Sequence, residues 1–277
     1  MKLKAFAKLN LSLRVFARRP DGYHDLESVM QSVSLYDVIT LEPIDSGIAV
    51  ACDDPNVPTG KENLVYKAAE LFRKSKIENR ESKMGVRIHI EKHIPMAAGL
   101  AGGSADAAAV LYGLDQMQNA ACRIRNEGLL SLGAQIGSDV PFCLTGGTCL
   151  VQGRGEIVDK QEPWPRTYFI LVCPDIHVST KWAYDEFDRL HIEAPDGIKN
   201  DLEPVVVEKH EEIADIKEKL VKLGCVEAQM SGSGPSVFGV CRHQSDARKI
   251  LLEIKARYPR SFLIETVDKG IELVGIS

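Results

Sequence analysis

Hydrophobic residues along the chain follow two periods, and these separate predicted strands from predicted helices. Alternation at every second position, or a short apolar run between turn residues, predicts a strand. Spacing of three and four, as at Leu64, Ala68 and Leu71, predicts a helix. The predicted strands are 11–16, 29–35, 38–41, 48–51, 85–91, 167–173, 226–230, 237–241 and 262–267, with a further strand between Gly147 and Gly153. The predicted helices are 63–76, 104–118, 126–136, 180–190, 207–223 and 245–256.

The order of these elements predicts an α+β protein with helices packed on mostly antiparallel sheet. A chain of 277 residues exceeds the usual size of one domain. Gly153-Arg154-Gly155 interrupts the strand that follows Gly147, and we place a domain boundary there. The predicted domains are therefore 1–153 and 154–277.

Composition and charge narrow the classes of function. The 44% hydrophobic and 26% charged residues are ordinary for a globular protein. With 34 basic and 39 acidic residues the net charge is −5, which argues against a nucleic-acid partner. The seven cysteines include no C-x-x-C pair, and their spacing with histidine fits no zinc site. Without an apolar stretch long enough for a signal peptide or a membrane span, we expect a cytoplasmic protein with no membrane partner.

The segment 95–109 is rich in Gly and Ala and joins a predicted strand to a predicted helix. Gly99, Gly102 and Gly103 allow close approach of a ligand to the backbone, and free N–H groups at a helix start attract an anion. The segment lacks the Gly-Lys-[Ser/Thr] of a P-loop and is not a G-x-G-x-x-G motif. A tight turn with small residues is the alternative explanation.

Other candidate residues are ambiguous on local pattern alone. Asp139 stands beside the apolar run 140–144 and is either a helix N-cap or a carboxylate with a chemical role. Lys8 has the ordinary explanation of a solvated lysine near a strand end. Tyr23 and His24 follow a Pro-Asp-Gly turn and could be simple loop residues. The segment Ser231-Gly-Ser-Gly234 could be no more than a hairpin turn.

Taken together and in order, these segments resemble the motif set of the GHMP kinases, which include galactokinase, homoserine kinase, mevalonate kinase and phosphomevalonate kinase. The segments that carry the resemblance are 7–13, 19–25, 95–109, 137–142 and 230–239. The resemblance implies a two-domain fold, with an N-terminal domain like ribosomal protein S5 domain 2 and a ferredoxin-like C-terminal domain. It also implies an ATP-dependent transfer of phosphate to a small-molecule alcohol.

The resemblance places ATP on the Gly/Ala-rich segment. The expected ATP-binding residues are Asn63, Pro95, Met96, Ala97, Ala98, Gly99, Leu100, Ala101, Gly102, Gly103, Ser104 and Ala105. The usual family form has Gly where this chain has Ala101 and a second Ser where it has Ala105. A Mg²⁺ ligand, if the segment supplies one, is therefore expected at Ser104.

The resemblance also assigns catalytic roles. Asp139 is expected to be the general base, and Lys8 its cationic partner, which keeps Asp139 ionised and stabilises charge on the transferring group. Whether Asp139 removes the proton or orients the hydroxyl stays open.

The segments at 7–13 and 21–24 are most similar to family members that phosphorylate the 2-hydroxyl of a cytidine diphosphate-linked methylerythritol, a step of non-mevalonate isoprenoid biosynthesis that yields the 2-phosphate and ADP. The expected substrate-binding residues are Asn10, Tyr23, His24, Tyr184, Gly232 and Gly234. Tyr23 and a second ring would stack on cytosine; Tyr184 matches that second ring, with Trp182 and Phe187 as alternatives.

Rival interpretations are a mevalonate- or homoserine-type kinase and a non-catalytic nucleotide sensor. We expect a monomer or a weak homodimer.

Overall fold

The computed structural model describes residues 1–77, 85–118, 123–190 and 199–275. Its strands are β1 (Lys2–Asn10), β2 (Arg14–Arg18), β3 (His24–Ile44), β4 (Ile48–Cys52), β5 (Gly85–Glu91), β6 (Thr148–Gly153), β7 (Ile157–Lys160), β8 (Tyr168–Val172), β9 (Glu227–Met230), β10 (Val237–Cys241), β11 (Ser261–Glu265) and β12 (Ile271–Gly275). Its helices are α1 (Leu64–Ile77), α2 (Gly102–Gln116), α3 (Asn126–Ile136), α4 (Val140–Thr145), α5 (Thr180–Leu190), α6 (Glu203–Lys209), α7 (Glu212–Lys222) and α8 (Gln244–Lys255).

The larger of the two sheets is built around β3, a strand of 21 residues. Its longest path runs β12-β1-β3-β5-β4, while β2 and β6 pair with the first part of β3. The sequence pattern predicts two strands here because Asp37 interrupts the apolar run. That prediction is wrong: Asp37 is buried, and its carboxylate accepts the backbone N–H groups of His93 and Ile94. A polar residue with such partners continues a buried strand at little cost.

Helix α2 packs against this sheet and brings the Gly/Ala-rich segment to it. Ala105, Ala107, Ala108 and Ala109 are fully buried, and a Cβ on Gly113 would overlap the side chains of Leu41 and Leu3. Small residues therefore allow the helix axis to approach the strands closely. The core on this face is formed by α1, α2 and α4 with β1, β3 and β5.

The smaller sheet has the order β11-β8-β10-β9, and all its pairs are antiparallel. Numbered from its own first strand this order is 4-1-3-2, as expected for a ferredoxin-like domain. Helices α7 and α8 cover one face. The single helix predicted over 207–223 is wrong, because the chain breaks at His210 between α6 and α7.

The other face of the smaller sheet packs on the larger-sheet domain. Phe169, Leu171 and Phe238 meet Ala7 and Leu9 in a shared buried core. The backbone also joins the domains, because the N–H of Val267 donates to the carbonyl of Ser32 at 3.0 Å. The two sheets are therefore held in contact beside the Gly/Ala-rich segment.

The larger sheet continues beyond residue 153. The predicted boundary falls at the last residue of β6, and β7 pairs with β6 after it. The final strand β12 returns to pair with β1. Strands β1, β7 and β12 are absent from the prediction, although Lys2 and Lys4 alternate with buried residues in β1. No helix in the described ranges is long and apolar enough to cross a membrane.

Candidate active site

A cavity of about 700 Å³ lies where the two domains meet. Its wall includes residues of β1, the segment 95–104, Asp139 at the start of α4, and the loop that holds Gly232. The volume suits a small-molecule ligand. The predicted catalytic and ATP-binding segments, far apart in the chain, thus share one cavity.

The backbone of the Gly/Ala-rich segment alternates into the left-handed region. Ala97, Gly99 and Ala101 have φ of 51°, 73° and 56°. Glycine is expected at such positions, and an alanine there costs roughly 1–2 kcal/mol. Gly102 and Gly103, in contrast, are the first two residues of α2. The strained backbone therefore falls on two alanines, Ala97 and Ala101, and not on Gly102 or Gly103.

The N-terminus of α2 faces the cavity with free backbone donors. Ala101 is the N-cap and has no side chain that could cap the helix. The Ala105 N–H, one turn further along, donates to the Ala101 carbonyl at 2.8 Å. The N–H groups of residues 102–104 precede that bond, so an anion could accept them. All of 95–104 lines the cavity, whereas Ala105 is fully buried outside its lining.

Asn63 also lines the cavity, at the start of α1. Its Oδ1 accepts the N–H of Val65 (2.8 Å), and its Nδ2 donates to the Pro58 carbonyl (2.6 Å). The side chain therefore caps the helix and fixes the loop before it. A contact of Asn63 with ATP stays a prediction.

Lys8 is 4% exposed and points its ammonium into the site. Nζ donates to Asn10 Oδ1 (2.5 Å) and to the carbonyl of Gly99 (2.9 Å). The Asn10 amide is oriented in turn by donating to Ser28 Oγ (2.8 Å). Both partners of Lys8 are neutral, so its positive charge and third N–H remain for a ligand.

Asp139 occupies the N-cap position of α4, but its carboxylate makes no capping hydrogen bond. It lines the cavity with Lys8, and the two do not form an ion pair, so any effect of the cation on the carboxylate acts across the cavity. Burial, reinforced by the charge of Asp139, raises the pKa of Tyr184. A carboxylate on the cavity wall that makes no capping hydrogen bond is suited to accept a proton from a hydroxyl.

Sequence reasoning missed a buried ion cluster beneath α2. Lys92 donates to Asp37 and to Asp106 Oδ2 (2.8 Å), and all three side chains are almost fully buried. Burial raises the pKa of Asp106, although Lys92 opposes this, and Asp106 Oδ1 has no hydrogen-bond partner. Lys92 and Asp106 line the cavity, so the cluster lies under its wall near the start of α2. The signal was a charged pair at the end of β5 and in the second turn of α2.

The aromatic residues gather at another part of the cavity rim. His24 is 5% exposed, stacks on Tyr184 at 5.1 Å between centroids, and lies 2.8 Å from Asp188 through Nε2. Tyr184 lines the cavity, whereas His24 and Tyr23, which is 52% exposed, are outside its lining. Tyr23 is linked to the cavity through Arg154, a lining residue whose guanidinium lies over its ring.

The two alternative rings lie elsewhere. Trp182 packs against His210 and Lys209, and Phe187 packs on the core of the smaller sheet. Of the three candidates, Tyr184 therefore has the position expected of the second stacking ring, and its role stays a prediction.

The two glycines of 231–234 differ in position. Gly232 has φ of 58° and lines the cavity, and a Cβ there would stand 3.0 Å from Asn10 Oδ1 and 3.3 Å from Lys8 Nζ. Gly234 is outside the lining, and its carbonyl packs on Gly99. Gly232 is thus at the site, whereas Gly234 lies outside it, where the two loops are in contact.

The protein offers Mg²⁺ few ligands of its own. Among the described residues, no group of three or more His, Cys, Asp or Glu side chains could hold a metal. Ser104 and Asp139 do present oxygens to the cavity. Mg²⁺ usually binds through one or two protein ligands together with substrate phosphates and water. The residues present therefore fit a Mg²⁺ ion that arrives with a nucleotide.

Comparisons with known proteins show which family the chain is similar to. The family model described as GHMP kinases N terminal domain matches residues 63–147, and the model described as GHMP kinases C terminal matches residues 186–260. A 4-diphosphocytidyl-2-C-methyl-D-erythritol kinase of Clostridium acetobutylicum is 40% identical over 96% of this chain and 100% of its own. A protein of the same name from Syntrophomonas wolfei is 42% identical over 95% of this chain and 97% of its own.

Solved structures show the same similarity. A crystal structure of 4-(cytidine 5'-diphospho)-2C-methyl-D-erythritol kinase superposes with a TM-score of 0.79 at 31% identity, covering 96% of this chain and 99% of the other. A homoserine kinase from Cytophaga hutchinsonii superposes with a TM-score of 0.74 at 20% identity, covering 99% and 97%. The second similarity concerns the fold alone.

Proposed function

This chain belongs to the GHMP kinase family, and from that premise we propose that it phosphorylates the 2-hydroxyl of 4-diphosphocytidyl-2-C-methyl-D-erythritol with ATP. The predicted two-domain GHMP kinase fold is confirmed, as is the prediction of an ATP-using kinase. The products are the 2-phosphate and ADP, and the reaction serves isoprenoid precursor biosynthesis. The relatives that are about 40% identical over nearly their whole length carry the name of this activity.

One observation supports the proposal above all: Lys8, Asp139 and the free N–H groups at the start of α2 face one cavity. The ATP phosphates bind at residues 102–104, where backbone donors and the helix dipole favour negative charge. The Lys8 ammonium, held by Asn10 and the Gly99 carbonyl, stabilises charge on the transferring phosphoryl group.

Asp139 accepts the proton of the acceptor hydroxyl or holds that hydroxyl in line with the γ-phosphate. Lys8 donates to Gly99, three residues before the phosphate-binding residues 102–104, and it lines the same cavity as Asp139. Phosphoryl transfer requires little covalent chemistry from the protein, so positioning and electrostatic stabilisation account for most of the catalysis.

Mg²⁺ would neutralise the phosphates, and Ser104 is the side chain of the phosphate-binding segment that could ligate it. At the rim, Tyr23 and Tyr184 stack on the cytosine, and His24 hydrogen-bonds the edge of the base. We place the reaction in the cytoplasm, since the six cysteines within the described ranges are free thiols.

A panel of alcohols tests the proposal. Purified protein with ATP and Mg²⁺ is offered 4-diphosphocytidyl-2-C-methyl-D-erythritol, 2-C-methyl-D-erythritol 4-phosphate, mevalonate or homoserine, and ADP release is followed. We expect release with the cytidylylated alcohol and at most trace release with the others, and ³¹P NMR of the product should show a new phosphate monoester. Equal or faster turnover of mevalonate or homoserine would overturn the proposal.

A further inference from the structure

Arg154 is a cation on the cavity wall whose hydrogen-bonding capacity is mostly unused. It stands in the turn between β6 and β7, flanked by Gly153 and Gly155 with φ of 69° and 115°. Nη2 donates to the Ala134 carbonyl (3.1 Å). Nε lies 4.0 Å from Glu156 Oε2, an oxygen that instead accepts the backbone N–H of Arg154 at 2.8 Å. Of five guanidinium N–H groups, one thus has an acceptor in the described structure.

Arg154 lies between the base site and the hydroxyl site of the proposed acceptor. Its guanidinium carbon is 5.2 Å from the ring centroid of Tyr23, which we assign to the base. Next to it in the chain, a Cβ on Gly155 would be 3.1 Å from the Cβ of Ser138, the neighbour of Asp139. The acceptor has the covalent order base, ribose, diphosphate, alcohol. A residue between the base site and the hydroxyl site is therefore beside the diphosphate.

The charged residues that line the cavity also indicate that Arg154 binds the diphosphate. Among the described residues, three cations line the cavity: Lys8, Lys92 and Arg154. Lys92 is neutralised by Asp37 and Asp106, and Lys8 is bound to the ATP segment through Gly99. Arg154, whose side chain is 31% exposed, is the remaining cation on the described wall that a second anion could use.

We propose that Arg154 binds the diphosphate of the acceptor and thereby makes the site selective for a nucleoside diphosphate over a nucleoside. The inference rests on the proposed function, because it takes the acceptor's diphosphate from there. A guanidinium presents paired donors that match phosphate oxygens, and such charge-assisted bonds are strong in a partly buried site. The Tyr23 ring under the guanidinium holds it on the wall by a cation–π contact.

A charge series of ligands tests this inference. Calorimetry measures the affinity of cytidine, CMP and CDP for the wild type, Arg154→Gln and Arg154→Lys. We expect the wild type to gain affinity along the series. In Arg154→Gln the gain from cytidine to CDP should shrink by about 10- to 100-fold, while cytidine itself binds within about threefold of wild type. Arg154→Lys should keep part of the gain, since it retains charge without the planar donors.

Arg166→Gln is the matched control. Arg166 also lies over a tyrosine ring, that of Tyr168 at 5.4 Å, and pairs with one glutamate, but it is outside the cavity lining. This control should leave the whole series unchanged, and thermal melting should show that every variant is folded.

Three results would overturn the inference. If Arg154→Gln weakens cytidine and CDP equally, the residue only supports Tyr23. If it leaves both affinities unchanged, or if the wild type has no preference for CDP, Arg154 does not bind a diphosphate. Turnover of the cytidylylated alcohol by the wild type is measured alongside. Absent turnover counts against the proposed function, whereas normal turnover with an unchanged ligand series counts against the role of Arg154 alone.

Discussion

Single residues reach the cavity by local irregularities of the backbone. The pairing of β1 with β3 shifts register between Phe6 and Lys8, and such a bulge redirects the side chains that follow it. Lys8 and Asn10 consequently share the cavity, while Ala7 and Leu9 enter the core between the domains. Asp139 is exposed to the cavity because α3 ends at Ile136 and α4 begins at Val140.

The first prediction at this scale concerns Asp139→Asn. The amide keeps the shape but cannot accept a proton, so we expect kcat to fall about 10²- to 10⁴-fold. Stability and ATP affinity should stay near wild type, because the carboxylate makes no capping hydrogen bond. Steady-state kinetics, calorimetry with ATP and thermal melting measure the three quantities.

Asp159→Asn provides the control, since Asp159 is an exposed carboxylate of β7 outside the cavity lining. It should have wild-type kinetics. Wild-type turnover in Asp139→Asn as well would show that the carboxylate neither removes nor orients the acceptor proton.

At the scale of elements, the loop 95–101 is held between the two domains at Gly99. Its φ is 73°, and a Cβ there would lie 2.6 Å from the carbonyl oxygen of Ser231 and 2.9 Å from that of Gly234. Backbone atoms of the C-terminal domain thus leave no space for a side chain. Gly103, in the first turn of α2, would place a Cβ 3.6 Å from Leu64 Cδ1, an ordinary contact.

The pair Gly99→Ala and Gly103→Ala tests this difference. Gly99→Ala should move the loop, lower the melting temperature and lower kcat/KM by at least tenfold. Gly103→Ala should melt at or above the wild-type temperature, because alanine in a helix is favoured by up to about 1 kcal/mol. Melting and kinetics of both variants decide the matter, and identical behaviour would contradict the loop-to-loop packing.

Lys92 joins three elements, since it leaves the end of β5 and neutralises carboxylates on β3 and α2. Lys92→Met leaves buried negative charge without a cation, which should cost about 3–5 kcal/mol in the free energy of unfolding at pH 8.

The stability that Lys92→Met loses should depend on pH, and the pKa of Asp106 determines the direction. The pKa of Asp106 is higher in the folded protein than its ordinary value, so protonation of this group favours the folded state. Its contribution to stability is greatest in acid and is lost as the pH rises through the folded pKa. The deficit of Lys92→Met should therefore be smaller at pH 5 than at pH 8 in urea unfolding.

Lys2→Met is the control for Lys92. Lys2 pairs with Glu91 on the surface of the same sheet, where an ion pair contributes about 0–1 kcal/mol. The Lys2→Met variant should therefore lose little stability at either pH. A deficit of Lys92→Met that grows in acid would contradict the buried-charge explanation.

At the scale of the whole molecule, the cavity exists because two sheets share a core. Phe238 is buried in that shared core, and the same strand leads back to the loop that holds Gly232 beside Lys8. The domains should therefore unfold together, in a single calorimetric transition.

Phe238→Ala tests this coupling. Loss of the ring should cost about 3–5 kcal/mol and raise KM for both substrates, because the two halves of the site are held less firmly. Ile216→Ala, in the separate core between α7 and the smaller sheet, should cost about 2–5 kcal/mol without a change in KM. Equal kinetics in the two variants would argue against a shared core that aligns the site.

Much of the molecule follows from local pattern. The predicted bounds of β5, α3 and α5 agree with the structure, because each has a clear period and clear breaks at its ends. The sequence also places the Gly/Ala-rich segment between a strand and a helix, and the structure has the start of α2 there, on the cavity wall; the anion that we expect at it stays a prediction. These features depend on residues that are neighbours in the chain, so the chain order alone determines them.

The tertiary structure decided what depends on residues distant in the chain. Asp37 continues β3 because Lys92 and two backbone N–H groups from beyond β5 satisfy its carboxylate. Arg154 reaches Tyr23 only because the β6–β7 turn is folded against the rim. The left-handed backbone at Ala97 and Ala101 is likewise not predicted by the local pattern, since alanine seldom adopts it. A buried charge or a strained φ is stable only when distant partners compensate for it, and local pattern carries no record of those partners.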